Sequence, residues 1–495
     1  MLYEQNLISG QAGGQGSLYD PANIDELLKA MSAGQVSGRE LDNVLTGGSA
    51  LKYESLESTL KVLTFENKHF ELYNSLIKKP ANSTVEEYNQ LVDYGRSGKY
   101  SISEGELPNS VDSSYRRQSE LIKYKGITGQ VTDVIMQTSN QIDVYSQEMQ
   151  NKMTLLLQNV ENELMFGNSE VDPLQFDGLN RLHVKRLGGT NEDYFNSAFT
   201  LDVRGSVLLD NHYNEVISNV VNRGYGFVSD IFAPPEVFTN YVDQKYDQRR
   251  IITGADVSTG KFGQRVTEFV SQFGSITPRP IIFGRRSVER LLSGDTTAAQ
   301  TAKSPAAITA DGSTPLAAVS DTTNKFGAAY AGDYFVAVAA VNGSGEGQLT
   351  ALSASVVAVA STESIDMKFS ITDNAYPATG FVIYRSEVDP TTALADTPLY
   401  PVAYISKAEL TAGYDGAAAG LVRDRNYNIP NTEQAILFDV KNPDVVAIKE
   451  LGKMKKLDLA ITSPTRRFSI LYYLTQLLYQ PKKLAIINNI GKKTA

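Results

Sequence analysis

The chain has 495 residues, a hydrophobic content of 42% and a formal net charge of −10. It has no cysteine and no tryptophan, which excludes disulfides, thiolate metal sites and cysteine nucleophiles and fits assembly in a reducing cytoplasm. No apolar run reaches the ~18 residues of a membrane-spanning helix, and the acidic balance argues against a surface devoted as a whole to nucleic acid.

Residues 1–60 are rich in Gly, Gln and Ser, with a short helical patch over 24–31. They read as an N-terminal arm that orders only against neighbours. The first residues lack the basic start and apolar core of a signal peptide. Residues 61–93 read as a helical N-terminal region. Leu56, Leu60, Leu63, Phe70 and Tyr73 form an amphipathic stretch over 56–77, and Asn82-Ser83-Thr84 before Glu86-Glu87 supplies start signals for a further helix over 81–92. A Gly- and Ser-containing excursion then occupies 94–126.

The strongest periodic signal lies in 127–194. Tyr145, Met149, Met153, Leu156, Val160 and Leu164 recur every three or four residues, while Asn151, Lys152, Asn159 and Asn162 fall largely elsewhere. This predicts a helix over 143–166, roughly 36 Å long at ~1.5 Å per residue. Gly167 is expected to end it in the left-handed conformation. Asp172-Pro173 and Asp177-Gly178, with Phe176 between them, predict a turn.

In 195–297 the pattern predicts a helix over 201–222, an apolar lead at Ile231-Phe232, a helix over 236–247, and strands at 266–273 and 280–283. Residues 298–422 change character, with five bases against twelve acids. Residues 365–371 alternate apolar and polar, and four further strand candidates lie at 334–341, 352–359, 380–385 and 399–405. Short strands separated by turns over one domain's length predict an all-β two-sheet sandwich, expected to fold alone between loose linkers. Residues 423–444 lead into 445–495, where an apolar run, a Gln480-Pro481 break and a second apolar run predict two returning strands. Net charge is −6 over 1–120 and +8 over 441–495, read either as solvated faces with screened charges or as complementary surfaces that meet between chains.

The ordered set resembles the major capsid proteins of tailed bacteriophages, the Hong Kong 97 fold. The residues that carry it are 161–182, reading ENELMFGNSEVDPLQFDGLNRL, the excursion at 94–126, the segment IPNTEQAILFDVKNPDVVAI and the returning stretch RFSILYYLTQLLYQPKKLAIINNI. With 298–422 set aside, the likeness covers most of the chain in the expected order. It implies an α+β subunit with an N-arm (1–60), an E-loop (94–126), a spine helix and peripheral-domain region (127–194), an axial domain (195–297, returning at 423–444) and returning peripheral strands (445–495). Within the insert, Gly-Phe-Val-Ile-Tyr-Arg-Ser resembles a strand of immunoglobulin- or fibronectin-like modules. Structural and assembly roles fall to Tyr145, Met149, Met153, Leu156, Val160, Leu164, Gly167, Asp172, Pro173, Phe176, Asp177 and Gly178.

Catalytic signals are weak. His69, His183 and His212 lie in no metal-ligand spacing. The stretch from Gly254 to Gly260 and Lys261 approaches a phosphate loop, but it has five residues between the glycines instead of four, and Phe262 replaces the Ser/Thr. Lys99 and Asn488-Asn489 match no crosslinking motif. No enzyme activity, cofactor or metal is therefore expected.

The reading is a capsid subunit that self-assembles through hexamers and pentamers into an icosahedral virion shell, built in the host cytoplasm around double-stranded DNA without sequence-specific contact. Implied partners are scaffold, portal and decoration proteins. An acidic insert projecting outward could meet host-surface glycans, and its replacement by a short linker is expected to leave assembly intact. Alternatives are an encapsulin-like compartment shell and an adhesive or carbohydrate-binding protein acting through the sandwich.

Overall fold

The computed structural model describes residues 65–95, 101–107, 110–138, 143–187, 194–249, 268–293, 298–312, 314–461 and 463–492, with backbone only for 245–249. The expected arm at 1–60, the first part (56–64) of the amphipathic stretch at 56–77, Lys99 and the glycine loop at 254–262 lie outside the described residues.

The long helix spans Val144–Phe166, 23 residues, or about 35 Å. Asp143 caps it by accepting the Tyr145 N–H at 3.1 Å. Leu156, Val160 and Leu164 are buried, and Tyr145, Met149 and Met153 pack half-buried against the same cluster. The helix lies on a five-stranded sheet built around Thr465–Leu478, a strand of 14 residues. That strand pairs antiparallel with Lys123–Thr132, Lys455–Asp458 and Val446–Glu450, and the last of these also pairs parallel with Lys78–Pro80. Phe468, Ile470, Tyr472 and Leu474 are buried at every second position, the period of a strand with one face on the core.

The helix expected over 81–92 is a strand, Val85–Asp93, paired antiparallel with Ser114–Leu121. Its side chains alternate between exposed and half-buried. On the inward side Tyr88 donates its hydroxyl to the Leu478 carbonyl at 2.8 Å, and Gln90 donates to that of Tyr479. Period two, with Val, Tyr and Leu favouring a pleat, prevails over the helix-start residues. The hairpin therefore begins ahead of residue 94.

A second sheet has six strands in the order Thr200–Asp202, Ala485–Ile490, Glu433–Phe438, Asp230–Ala233, Gly274–Pro280 and Phe269–Ser271. The middle three are buried at every position. Phe232, Ile436, Phe438 and Ile486 join the long helix's cluster, whereas Ile231, Ala435, Leu437 and Ile487 pack with Val216 and Val220 of the helix Asp210–Gly224.

Three expectations change here. The helix predicted from residue 201 starts at Asp210, because Thr200–Asp202 is claimed as a strand by Ala485–Ile490 and the chain then turns through positive φ at Arg204 and Gly205. The strand predicted over 280–283 is Gly274–Pro280, followed by Ile281, whose N–H still reaches the Ala233 carbonyl at 2.9 Å. The two returning apolar runs lie in different sheets, with a 3-10 turn at Pro481–Lys483 carrying the chain from one to the other. The helix predicted over 236–247 is present as Pro235–Arg249.

Between these parts, Leu316–Ser320, Glu363–Met367 and Val422–Asp424 form one antiparallel sheet. Val336–Asn342, Gly380–Arg385 and Tyr400–Ser406 form the centre of another. Ile365, Met367 and Val422 of the first meet Val336, Val338, Phe381, Ile383 and Ile405 of the second in one apolar cluster. Arg385 is fully buried, paired with Asp424, and its guanidinium lies 5.0 Å from the ring centres of both Phe326 and Tyr334.

One buried charge fixes where the chain enters this body. Glu161, on the long helix, is wholly buried and accepts the backbone N–H groups of Leu72 and Tyr73 at 2.9 and 2.8 Å. These begin the short helix Glu71–Ser75. Burial pushes the Glu161 carboxyl up to about 7, against the opposing pull of the two N–H donors, and nearby Glu71 adds to the rise.

Two outcomes follow. Val160→Asp should cost at least about 3 kcal/mol and abolish soluble folded subunit, while Asn159→Asp on the exposed face should leave it intact; equal yields would contradict the helical phase. The folded Glu161 binds a proton between pH ~4.5 and ~7 that the unfolded chain has released, so its contribution is complete below that window and is lost as pH rises through it. Relative to Glu161→Gln, the parent subunit should lose up to about 3 kcal/mol of unfolding free energy from pH 5 to pH 8. Parallel denaturation curves for the two proteins would contradict this assignment.

Candidate assembly surface

The turn after the long helix is built by close approach. Gly167 has φ −52° and ψ 140°, so it is not the left-handed stop expected from sequence. Glycine is required for another reason: a Cβ there would sit 2.3 Å from the Phe176 carbonyl oxygen and 2.7 Å from that of Glu163. A Cβ on Gly178 would lie 2.5 Å from the Glu163 oxygen. The Gly178 N–H donates to the Gly167 carbonyl at 2.9 Å, closing the turn.

The remaining residues singled out from sequence come together here. Asp172 is buried and accepts the Leu174 N–H at 3.0 Å, and the exposed Pro173 gives its carbonyl to Lys123 Nζ at 2.7 Å. Phe176 is buried beneath the turn. Asp177 accepts the Ser169 N–H at 2.8 Å and pairs with Lys185. Burial alone would raise the Asp177 carboxyl, but Lys185 and the Ser169 donors outweigh it and hold it below the usual range. At the other end of the helix, Tyr145 lies edge-on to Phe468 at 5.3 Å and donates its hydroxyl to Asp458 at 2.8 Å.

Sequence periodicity missed the charged partners of this surface. Lys125 Nζ is 2.6 Å from Glu163, pulling against the burial that raises the Glu163 carboxyl. Arg186 pairs with Glu120 and donates to Gln118, tying the helix Leu179–Leu187 to the hairpin strand. Lys125 lies on the strand Lys123–Thr132, whose pairing partner Thr465–Leu478 is over three hundred residues away, so local pattern could not place it beside the helix.

None of the histidines has catalytic company. His183 is fully buried, edge-on to Tyr194 at 5.8 Å, and burial pushes it down to about 3, so it is a neutral core side chain. His69 and His212 accept the Glu66 and Leu209 N–H groups at 2.8 and 3.3 Å. Asn489 is buried and holds the Ile429 N–H at 2.9 Å, a structural role. Among the described residues no cluster of His, Cys, Asp or Glu could hold a metal, and no helix is long and apolar enough to cross a membrane.

Two groups of exposed large apolar side chains lie on or next to strands that the subunit leaves open. The hairpin carries Tyr94, Leu107 and Tyr115, which are 81, 91 and 73% exposed. The strand Lys455–Asp458 and its continuation present Leu457, Leu459 and Ile461 at alternate positions, with exposed Val134 and Ile135 on the helix Asp133–Gln137. The Asp133 N–H donates to the Pro464 carbonyl at 3.1 Å, placing the start of this helix beside the start of Thr465–Leu478, the strand that pairs with Lys455–Asp458. Contiguous apolar exposure of this kind marks contact with another surface.

No family model matches the chain. The major capsid proteins of Staphylococcus phage S25-3 and Staphylococcus phage K are each 24% identical to it over 480 residues, covering 94% of this chain and 95% of theirs. Among solved structures, the Mycobacterium phage Adephagia structure aligns with 90% of this chain and 97% of its own (TM-score 0.43, 7% identity). The holo-SrpI encapsulin complex from Synechococcus elongatus PCC 7942 aligns with 89% and 94% (TM-score 0.42, 9% identity). Hairpin, long helix, glycine-closed turn, six-stranded sheet and returning strand follow one another in the order the sequence resemblance implies, and along 94% of its length the chain is similar to the major capsid proteins of tailed phages.

Proposed function

We propose that the chain is the major capsid protein of a tailed phage, a structural subunit that self-assembles through hexamers and pentamers into the virion shell. The observation that carries this is similarity to named major capsid proteins along nearly the whole of both chains. The encapsulin-like alternative has no such full-length relative in its favour.

The described architecture suits the task. A stiff helix backed by a 14-residue strand holds the subunit's shape under load. The hairpin and the Lys455–Asp458 edge carry apolar groups that the single subunit does not bury. Copies of the subunit cover them, and many modest contacts then act together. Obligate interfaces of this kind commonly bury more than ~2,000 Å². The shell encloses double-stranded DNA through general electrostatics, and the net −7 of residues 298–422 suits an exterior position away from packaged phosphate. Scaffold, portal and decoration proteins are its expected partners. The insert's immunoglobulin- or fibronectin-like relationship and its contact with host-surface glycans belong to the same proposal.

Negative-stain microscopy of purified protein, with scaffold supplied, should show closed particles or capsomers; dispersed monomers under all assembly conditions would overturn the proposal. The hairpin gives a sharper test. Replacing Tyr94, Leu107 and Tyr115 together by Ser should change unfolding free energy by less than about 1 kcal/mol, because the subunit leaves them in water, yet reduce particle yield severalfold. Normal particle yield would remove the hairpin from the interface.

A further inference from the structure

We infer that residues 298–422 act as a docked strut, joining the turn after the long helix to the end of the six-stranded sheet. This replaces the expectation, read from sequence, of a module that folds alone and can be removed. It goes beyond the capsid reading and does not depend on it.

The first observation is a sheet buried on both sides. Val336–Asn342 and Gly380–Arg385 are buried at every position. Val336, Val338, Phe381 and Ile383 fill the space between the insert's two sheets. The alternate residues, Ala337, Ala339, Val341, Val382 and Tyr384, form a second cluster with Val171 of the turn and Leu292 of the preceding connection. A freely tethered sandwich would turn a polar face outward at these positions. Here that face is apolar and is covered in part by the insert's own Phe335, Leu349 and Leu399 and in part by Val171 and Leu292 from outside it.

The second observation is how tightly the two surfaces meet. A Cβ on Gly380 would lie 2.7 Å from Val171 Cγ1, and one on Gly343 would lie 2.4 Å from Leu174 Cδ1. Thr379 donates its hydroxyl to the Val171 carbonyl at 2.6 Å. The backbones of Arg290 and Leu399 exchange two hydrogen bonds at 2.8 and 2.9 Å, and the Ser293 N–H reaches the Ala395 carbonyl at 3.0 Å. Within this contact Arg290 is paired with Glu346 of the insert.

The third observation is a separate anchor. Tyr330 donates its hydroxyl to the Arg204 carbonyl at 2.6 Å, and the Arg204 guanidinium donates to the Lys325 carbonyl and, at 2.9 Å, to that of Asn426. Arg204 follows Thr200–Asp202, the outermost strand of the six-stranded sheet at that edge. One rigid sandwich thus holds both the helix's turn and the sheet's edge, and bending one against the other breaks an anchor.

Hydrogen exchange on the soluble full-length protein tests this without reference to shell formation. The amides of Arg290, Ser293 and Leu399 donate across the docked contact, so they should be protected by at least about 100-fold. Val171→Asp should lower that protection at least about tenfold while amides of Val336–Asn342 stay slow, reporting an intact but released insert. Thr379→Val, which removes one donor and keeps the shape, should produce a severalfold loss at the same amides and serves if the aspartate variant does not fold. Rapid exchange at the three amides in the unmodified protein, or no response to either substitution, would overturn the strut.

Discussion

The structure depends on one constraint: the central strands of the six-stranded sheet must be covered on both faces. Asp230–Ala233, Glu433–Phe438 and Ala485–Ile490 expose no position. One face is sealed by the helix Asp210–Gly224, and the other merges with the cluster of the long helix and the five-stranded sheet. Each buried large aliphatic side chain contributes about 1.5–3 kcal/mol, so separating the layers would forfeit many such contributions together. The two sheets and the long helix consequently form one continuously packed body. That requirement also explains why the last apolar run leaves the strand Thr465–Leu478 and crosses to a different sheet.

Around this core the polar groups act as joints. Glu161 gives both carboxylate oxygens to the backbone of Leu72 and Tyr73 and so fixes the point at which the chain enters the body. Lys125 and Glu163 tie the pairing strand to the end of the helix, and Lys185 and Asp177 close the turn beyond it. These pairs are mostly shielded from solvent, and removing one partner would leave a buried charge alone, at a cost well above that of an exposed ion pair. The turn's glycines have a parallel role: Gly167 and Gly178 let carbonyl oxygens approach where any side chain would collide. Rigidity at the end of the helix comes from these contacts and from the insert seated on Val171.

What the subunit leaves unburied is consistent with its role. The hairpin and the Lys455–Asp458 edge keep large apolar groups in water, a cost that a monomer has no reason to bear. An assembly subunit covers them only on association. Some of the insert's acidic residues are already paired, since Asp321, Asp366 and Asp415 meet Arg423 or Arg425 just beyond its end. Its net charge is therefore not a simple measure of the field it presents.

Local pattern alone determined the long helix, its Asp-Pro turn, the family the chain resembles and the strands at 336–341, 380–385 and 400–405, whereas 352–359 is a strand only at Val357–Val359 and 365–371 is divided between Glu363–Met367 and Phe369–Ser370. Six side chains at helical spacing leave little choice, because no other conformation puts Tyr145, Met149, Met153, Leu156, Val160 and Leu164 on one face. Three kinds of feature required the tertiary structure. The segment 81–92 carried helix-start residues, yet became a strand because Ser114–Leu121 and the Leu478 and Tyr479 carbonyls offer bonds to alternate positions. Gly167 was legible as a helix stop, but its reason is the oxygen of Phe176 nine residues away, not a left-handed backbone. The insert's strands were legible, but its attachment was not. An alternating Ala and Val sequence says only that both faces of a strand are apolar, and what covers the second face depends on Val171 and Leu292, brought there by the folding of the whole chain.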